Sequence, residues 1–299
     1  MTRPPKLSVA ILGSGNIGTD LLIKCLRSPL LRPTLFVGRN LNSAGMAKAN
    51  GLGVRISDRS IQAFIDEPDI CDLVFDATSA QDHQVHAPIL RALGKVVIDM
   101  TPAKIGTICV PAVNLEEASK ADNINMVTCG GQASIPIAHM IGKFSSDLDY
   151  IEVVSSIASR SAGPATRLNL DEYIATTERA IMSFSGCRRA KAILILNPAT
   201  PCIDMQTTVF ANIVDPDLPA LRKRAEEVVA SIQRYVPGYE LLVPPQYEHG
   251  RLVITIKTRG LGDYLPSYAG NLDIINCAAI AAAESVARIS LLKEATHLA

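Results

Sequence analysis

A strand that ends in GxGxxG and turns directly into a helix leaves a chain few folds to choose from, and this chain begins with one. Lys6 to Leu12 (KLSVAIL) reads as a buried strand, and it runs without a spacer into Gly13-Ser14-Gly15-Asn16-Ile17-Gly18. From Asp20 to Arg27 apolar residues recur at helical spacing. In that context Gly13 allows the tight turn, Gly15 lets the backbone meet a pyrophosphate, and Gly18 lets helix pack on strand, while the helix N-terminus attracts the phosphates. The flanking strand and helix favour a dinucleotide site over an ordinary glycine turn. Thr34 to Val37 reads as the second strand, whose end usually presents an acid to the adenine ribose; here Gly38-Arg39-Asn40 stands instead. Arg39 reads equally as a partner for a 2′-phosphate and as a solvated charge, so NAD and NADP both remain open.

Val54 to Ile56, Leu73 to Ala77 and Val96 to Met100 continue as short apolar strands separated by helical stretches. That alternation is the pattern of a doubly wound parallel sheet, with ligands at the carboxyl ends of its strands. Asp76-Ala77-Thr78-Ser79-Ala80 and Asp99-Met100-Thr101-Pro102-Ala103 lie at two such ends, which makes Thr78 a candidate lining residue. His83 and His86 share a helical face, and with no third ligand they read as polar positions rather than a metal site.

A second strand-to-helix junction lies at Met126 to Pro136, MVTCGGQASIP. Asn123 to Thr128 reads as a strand, Gly130 and Gly131 as its break, and Ser134 with Pro136 as the opening of a helix through Phe144. Cys129 then sits just before a helix N-terminus, where unpaired amides and the helix dipole favour a thiolate. It reads as a nucleophile or, alternatively, as one more buried apolar cysteine, the reading that suits Cys25, Cys71, Cys109 and Cys277. His139, well inside the helix, reads as structural.

Beyond Phe144 the character changes. Tyr150 to Ile157, Ala192 to Leu196, Gln206 to Ala211 and Arg251 to Lys257 read as strands, interleaved with helices at Asn169 to Phe184 and Pro219 to Tyr235. This is an α+β second domain with a largely antiparallel sheet, one face of which is left to pair with a second subunit in a homodimer. Ser159 to Asn169 is a long hydroxyl- and arginine-bearing loop, read either as closing on the cofactor or as a surface connection. After the turn-rich Tyr264 to Asn271, an alanine-rich helix from Asp273 to Ala295 is expected to return to the first domain's sheet. The domains are thus 1–128, completed by 273–299, and 129–272.

The chain has 299 residues, 48% of them hydrophobic, enough for a large core. Lys+Arg and Asp+Glu both total 29, so no net field draws nucleic acid or an anionic membrane. No apolar run approaches the roughly 20 residues of a membrane span, and the N-terminus lacks a signal peptide's apolar core and cleavage site, so the chain reads as cytoplasmic. Seven cysteines, odd in number and widely spaced, argue against a disulfide framework and a zinc cluster.

A nucleotide-binding half, a cysteine opening the second half and a returning C-terminal helix resemble the architecture of glyceraldehyde-3-phosphate and aspartate-semialdehyde dehydrogenases. GSGNIGTDL at Gly13 to Leu21, VFDATSA at Val74 to Ala80, NMVTCGGQA at Asn125 to Ala133, SIASRSAGPATRLN at Ser156 to Asn169 and YLPSYAGNLDI at Tyr264 to Ile274 are similar to the acylating acetaldehyde dehydrogenases of aromatic and steroid catabolism. The resemblance implies that Cys129 forms an acyl thioester with a short aldehyde such as acetaldehyde or propionaldehyde, and that coenzyme A accepts the acyl group. It implies that Ser14, Gly15, Asn16 and Ile17 hold the pyrophosphate. It also implies that Ser161, Ala162, Gly163, Pro164, Ala165, Thr166, Arg167, Leu168 and Asn169, with Asn271, complete the NAD site, and that a 4-hydroxy-2-oxo acid aldolase is a partner. The family's usual Arg-Asp-Thr-Val is here Gln206-Thr207-Thr208-Val209, and Thr207 is no base near neutral pH. The stretch from Pro244 to Arg259 is shorter than usual. A related dehydrogenase with another acyl acceptor, or a non-catalytic NAD-binding partner of an aldolase, are the competing readings.

Overall fold

Strand β1 (Leu7–Leu12) is buried at every position, as a strand covered on both faces must be. Beside it in the computed structural model, which describes residues 6–145, 147–163, 166–167 and 169–297, lie β2 (Leu31–Val37), β3 (Ile56–Ser57), β4 (Leu73–Asp76), β5 (Val96–Asp99), β6 (Thr107–Ile108) and β7 (Asn123–Asn125). They form one sheet in the order β3-β2-β1-β4-β5-β7-β6 with every pairing parallel. The order reverses at β1, which is the doubly wound arrangement read from the sequence. Helices α1 (Asn16–Arg27), α2 (Ala44–Gly51), α3 (Gln62–Asp66), α4 (Ala80–Ala92) and α5 (Pro111–Ala118) connect the strands.

A second sheet contains β8 (Tyr150–Ala158), β9 (Arg189–Asn197), β10 (Met205–Asn212), β11 (Tyr239–Glu248) and β12 (Arg251–Thr258), in the order β11-β12-β10-β8-β9. Its pairings are antiparallel except β8 with β9. Along β8 buried and half-buried residues alternate, so one face is covered and the other is not. Packed together in this unit are α6 (Cys129–Phe144), α7 (Leu170–Ser185) and α8 (Leu218–Gln233). The Tyr239 hydroxyl donates to the Ala133 carbonyl at 2.7 Å and ties β11 to α6. β11 escapes the sequence pattern because Pro244-Pro245 reads as a break. It is an edge strand whose register slips at those residues, and an edge is where a sheet tolerates proline.

By its contacts the chain forms two units, one within Met1–Cys109, Asn114–Met126 and Ala279–Ala299, the other within Val110–Val113 and Val127–Ala278. Helix α9 (Gly270–His297) begins in the second and ends in the first, where Ser28 Oγ donates to Glu284 at 2.6 Å. One expectation is corrected here. The stretch Gly270–Leu292 is long and apolar enough to cross a membrane, because small alanines extend the run. Ala278, Ala279, Ala282, Ala283 and Ala287 are nevertheless fully buried in protein, the position of a core helix.

Candidate active site

The first glycine turn is built as its spacing requires. Gly13 has φ +122°, and a Cβ on it would lie 2.5 Å from the Ala77 carbonyl oxygen. A Cβ on Gly18 would lie 1.9 Å from the Gly13 carbonyl oxygen, whereas one on Gly15 would meet nothing within 4 Å. Gly15 is also the N-cap of α1 and has no side chain of its own to cap it, and no acidic residue lies in the first turn. Gly15 and Asn16 are exposed and Ile17 is half-buried. The cradle therefore fits a pyrophosphate: closed where glycine must pack, open where an anion must approach. Arg39 follows β2 and is exposed, and Ser43 Oγ donates to Ser14 Oγ at 3.4 Å.

Behind this turn lies a polar cluster that spacing alone does not reveal. Asp76, the buried last residue of β4, accepts the Thr78 amide and hydroxyl on Oδ1 at 3.1 and 2.5 Å. Its Oδ2 lies 2.9 Å from His83 Nδ1 and 3.0 Å from His86 Nδ1. His83 Nε2 is 3.1 Å from Asn123 Nδ2 and 3.5 Å from Asp99 Oδ2. Asp99 ends β5 and accepts the Thr101 amide and Asn125 Nδ2, each at 2.7 Å. Burial works to raise Asp76, but hydrogen bonds from His83, His86 and Thr78 bring it down to about 2. Burial raises Asp99 to about 6 against the pull of His83, Thr101 and Asn125. For His83 burial is outweighed by the Asp76 hydrogen bond and the two carboxylate charges, which raise it. The hydroxyl of Thr78 is thereby committed to Asp76.

At the second junction the structure corrects the sequence reading. Helix α6 begins at Cys129, five residues before Ser134, and runs through Gly130, Gly131 and Pro136. Thr128 is the reason: its Oγ1 accepts the Gly131 amide at 2.9 Å, an N-cap that starts the helix early. The glycines serve close packing instead of a break. A Cβ on Gly130 would lie 2.1 Å from Tyr173 Oη, and one on Gly131 2.8 Å from Val127 Cγ1. Val127 has φ +61°, a costly conformation for a β-branched residue, just where the chain turns into the helix.

Cys129 therefore lies in the first turn. The thiol donates to Tyr173 Oη at 3.7 Å, and the amides of Gly130 and Cys129 itself bear on the sulfur. Burial is the largest influence and raises the thiol above its ordinary value, although Tyr173 and both amides work the other way. The thiolate preference expected from the helix terminus is thus outweighed by desolvation in the free enzyme. The Gly131 amide is taken by Thr128 Oγ1. Cys129 is half-buried, whereas Cys25, Cys71, Cys109, Cys187 and Cys277 are buried, and burial pushes Cys71 and Cys109 up to about 12. His139 Nδ1 lies 2.7 Å from the Phe184 carbonyl oxygen, a tie between α6 and α7.

Around Cys129 the second unit gathers hydroxyls that the sequence reading missed. Thr128 Oγ1 and Thr177 Oγ1 are 2.7 Å apart, and Ser155 Oγ lies 3.0 Å from Thr207 Oγ1. Thr207, standing where a carboxylate was expected, is buried and pairs with Ser155 on the neighbouring strand. Tyr173 and Thr177 are four residues apart on one helix, a visible spacing, but only the tertiary fold shows what they face. Ser161 Oγ donates to the Ala158 carbonyl at 2.8 Å. Arg167 donates to the carbonyls of Ala162 and Ser159 and to Ser159 Oγ, so its guanidinium fastens its own loop. Ala162 is buried, Gly163 is exposed with open space above its Cα, and Thr166 is half-buried, with Asn169 at the N-cap of α7. Pro164, Ala165 and Leu168 lie outside the described residues. Asn271 is buried, and among the described residues its Oδ1 has no hydrogen-bond partner, an acceptor suited to an amide donor on a ligand.

Two family models match the chain. One, described as prokaryotic acetaldehyde dehydrogenase, dimerisation, covers residues 129–266; the other, semialdehyde dehydrogenase, NAD binding domain, covers residues 8–121. An acetaldehyde dehydrogenase of Pectobacterium atrosepticum is 62% identical over 95% of this chain and 97% of its own length. One from Spirochaeta aurantia is 61% identical over 94% and 95%. Among solved structures, an aspartate semialdehyde dehydrogenase of Candida albicans with NADP matches with TM-score 0.63 at 11% identity, over 96% of this chain and 99% of that one. Aspartate semialdehyde dehydrogenase II of Vibrio cholerae complexed with ASA matches with TM-score 0.59 at 15% identity, over 97% and 99%. These structures share the fold.

Proposed function

The chain belongs to the acetaldehyde dehydrogenase family, and from that premise we propose that it oxidises a short aldehyde to its coenzyme A thioester through Cys129. The observation that carries the proposal is Cys129 itself: a half-buried cysteine in the first turn of α6, with backbone amides on its sulfur, in a chain whose other glycine turn is open to a pyrophosphate. Ser14 to Ile17 would hold the phosphates, and the unmet acceptor of Asn271 would take an amide donor of the cofactor. The dinucleotide, when bound, supplies the hydride acceptor. Cys129 sulfur attacks the aldehyde carbon, and the new oxyanion is stabilised by the amides of Cys129 and Gly130, which bear on the sulfur before attack, while that of Gly131 stays with Thr128. Loss of hydride from the same carbon leaves a thioester on Cys129. The coenzyme A thiolate then attacks that carbonyl and displaces the cysteine sulfur, restoring the enzyme.

The dimerisation model over residues 129–266 supports a homodimer. So does the less covered side of the second sheet, where Ile193 and Ile195 of β9, opposite the half-buried Val154 and Ser156 of β8, are exposed apolar residues. The aldolase partner is proposed on family resemblance alone.

The test is reduced-cofactor formation from acetaldehyde and propionaldehyde with NAD or NADP, with and without coenzyme A. Steady turnover that needs coenzyme A, and falls about a thousandfold or more in Cys129→Ala, is expected. Turnover indifferent to coenzyme A would redirect the reading to another acyl acceptor.

A further inference from the structure

Among the described residues, the influences on the Cys129 sulfur include no carboxylate, ammonium or imidazole; the side chain that reaches it is Tyr173, from α7. We propose that Tyr173 is a catalytic residue whose phenolic hydroxyl donates a hydrogen bond to the ionised Cys129 sulfur and holds it ready for attack. The inference rests on Cys129 being the nucleophile.

The hydroxyl's seat is specific. Tyr173 is buried, and its oxygen occupies the space that any side chain at position 130 would fill, 2.1 Å from the Cβ position. The Gly130 amide bears on both the sulfur and the phenolic oxygen. The direction of the neighbouring hydroxyls follows from proton counting. Thr177 Oγ1 donates its one proton to the Tyr173 carbonyl at 2.7 Å. In the 2.7 Å pair of Thr128 and Thr177 the donor must then be Thr128, which also accepts the Gly131 amide. Thr128 Oγ1 also bears on the phenolic oxygen, but with its proton directed to Thr177 it offers only a neutral oxygen acceptor, and once Cys129 ionises the charged sulfur is the stronger one for the phenolic proton. In the neutral thiol the S–H donates to Oη at 3.7 Å; loss of that proton to solvent reverses the bond, and O–H then donates to sulfur. Tyr173 stays protonated throughout, because burial and the adjacent sulfur raise it well above its ordinary value. Thr207 is turned to Ser155 and does not take this role.

The experiment is the pH dependence of Cys129 alkylation by iodoacetamide, followed by peptide mass, in the full chain, in Tyr173→Phe and in a variant with 3-fluorotyrosine at position 173. The expected result is a thiol pKa about one unit higher in Tyr173→Phe, hence about tenfold slower alkylation below it, with turnover at low pH falling in parallel. Fluorotyrosine, a stronger donor, shifts the pKa the opposite way, which a packing role would not do. An unmoved profile in both variants overturns the proposal. Should Tyr173→Phe not fold, the fluorotyrosine profile decides alone, and an unmoved pKa again overturns it. Cys129→Ala separates the two levels: if it retains turnover the nucleophile reading fails, whereas an inactive Cys129→Ala beside an unchanged Tyr173→Phe removes only the role of Tyr173.

Discussion

The turn at Gly13–Gly18 and the junction at Val127–Gly131 are the same local device, a glycine-rich passage from strand to helix, put to opposite uses. At the first, the N-cap is Gly15, which has no side chain to cap the helix, and the space beside its Cα is open to a ligand. At the second, Thr128 caps Gly131, and Tyr173 Oη sits where a side chain at Gly130 would be. Those amides act on a sulfur of their own chain. The supports differ as well: Asp76, His83, His86 and Asp99, all titratable, lie behind the first turn, whereas neutral hydroxyls of Thr128, Thr177, Ser155 and Thr207 surround the second. A helix N-terminus thus becomes a ligand site or a tuner of a side chain according to what the fold sets against it.

The largest expected effect separates two glycines of one turn. Gly18→Ala places a methyl 1.9 Å from the Gly13 carbonyl oxygen, and unfolding by heat should come several degrees earlier, with about 1–3 kcal/mol or more lost. Gly15→Ala meets nothing within 4 Å, so its melting should match the parent while its KM for the dinucleotide rises about tenfold. Equal melting losses in both would break the view of Gly15 as an approach position.

Next comes the titratable support. The His83 pKa is raised in the folded chain, so its contribution is fully present below the unfolded value near 6.5 and is lost as pH rises through the folded value. His83→Gln should therefore cost about 1.5–3 kcal/mol in urea unfolding at pH 5.5 and distinctly less at pH 9. A penalty independent of pH would mean that the charge of His83 contributes nothing. The smallest effect is Thr128→Ala, which removes the cap and the partner of Thr177. A loss of about 1 kcal/mol is expected, the same at both pH values because none of the groups involved titrates there.

Much of this was legible because it is local. KLSVAIL before GxGxxG announces its strand, its turn and its helix through hydrophobic pattern and glycine spacing, and β1, α1 and the parallel sheet follow. Cys129 is singled out as a candidate by the same logic. The start of α6 was misread because two glycines and a proline look like a break, while the cap that overrides them depends on how Thr128 is turned. β11 was missed because a proline pair is acceptable only at a sheet edge, and edge position is not written in the strand itself.

The sequence by itself determined the first junction, the doubly wound parallel sheet, the place of the second junction and the family, since periodicity, turn chemistry and motif spacing act over a few residues. Only the tertiary structure decided which proton acceptor or donor each junction meets. Tyr173 reaches Cys129 from 44 positions away, and Thr207 meets Ser155 across 52, because α7 and β10 are brought there by sheet and helix packing. Burial, which sets the ionisation of Cys129, Asp99 and His83, is likewise a sum over the whole fold and has no local signature.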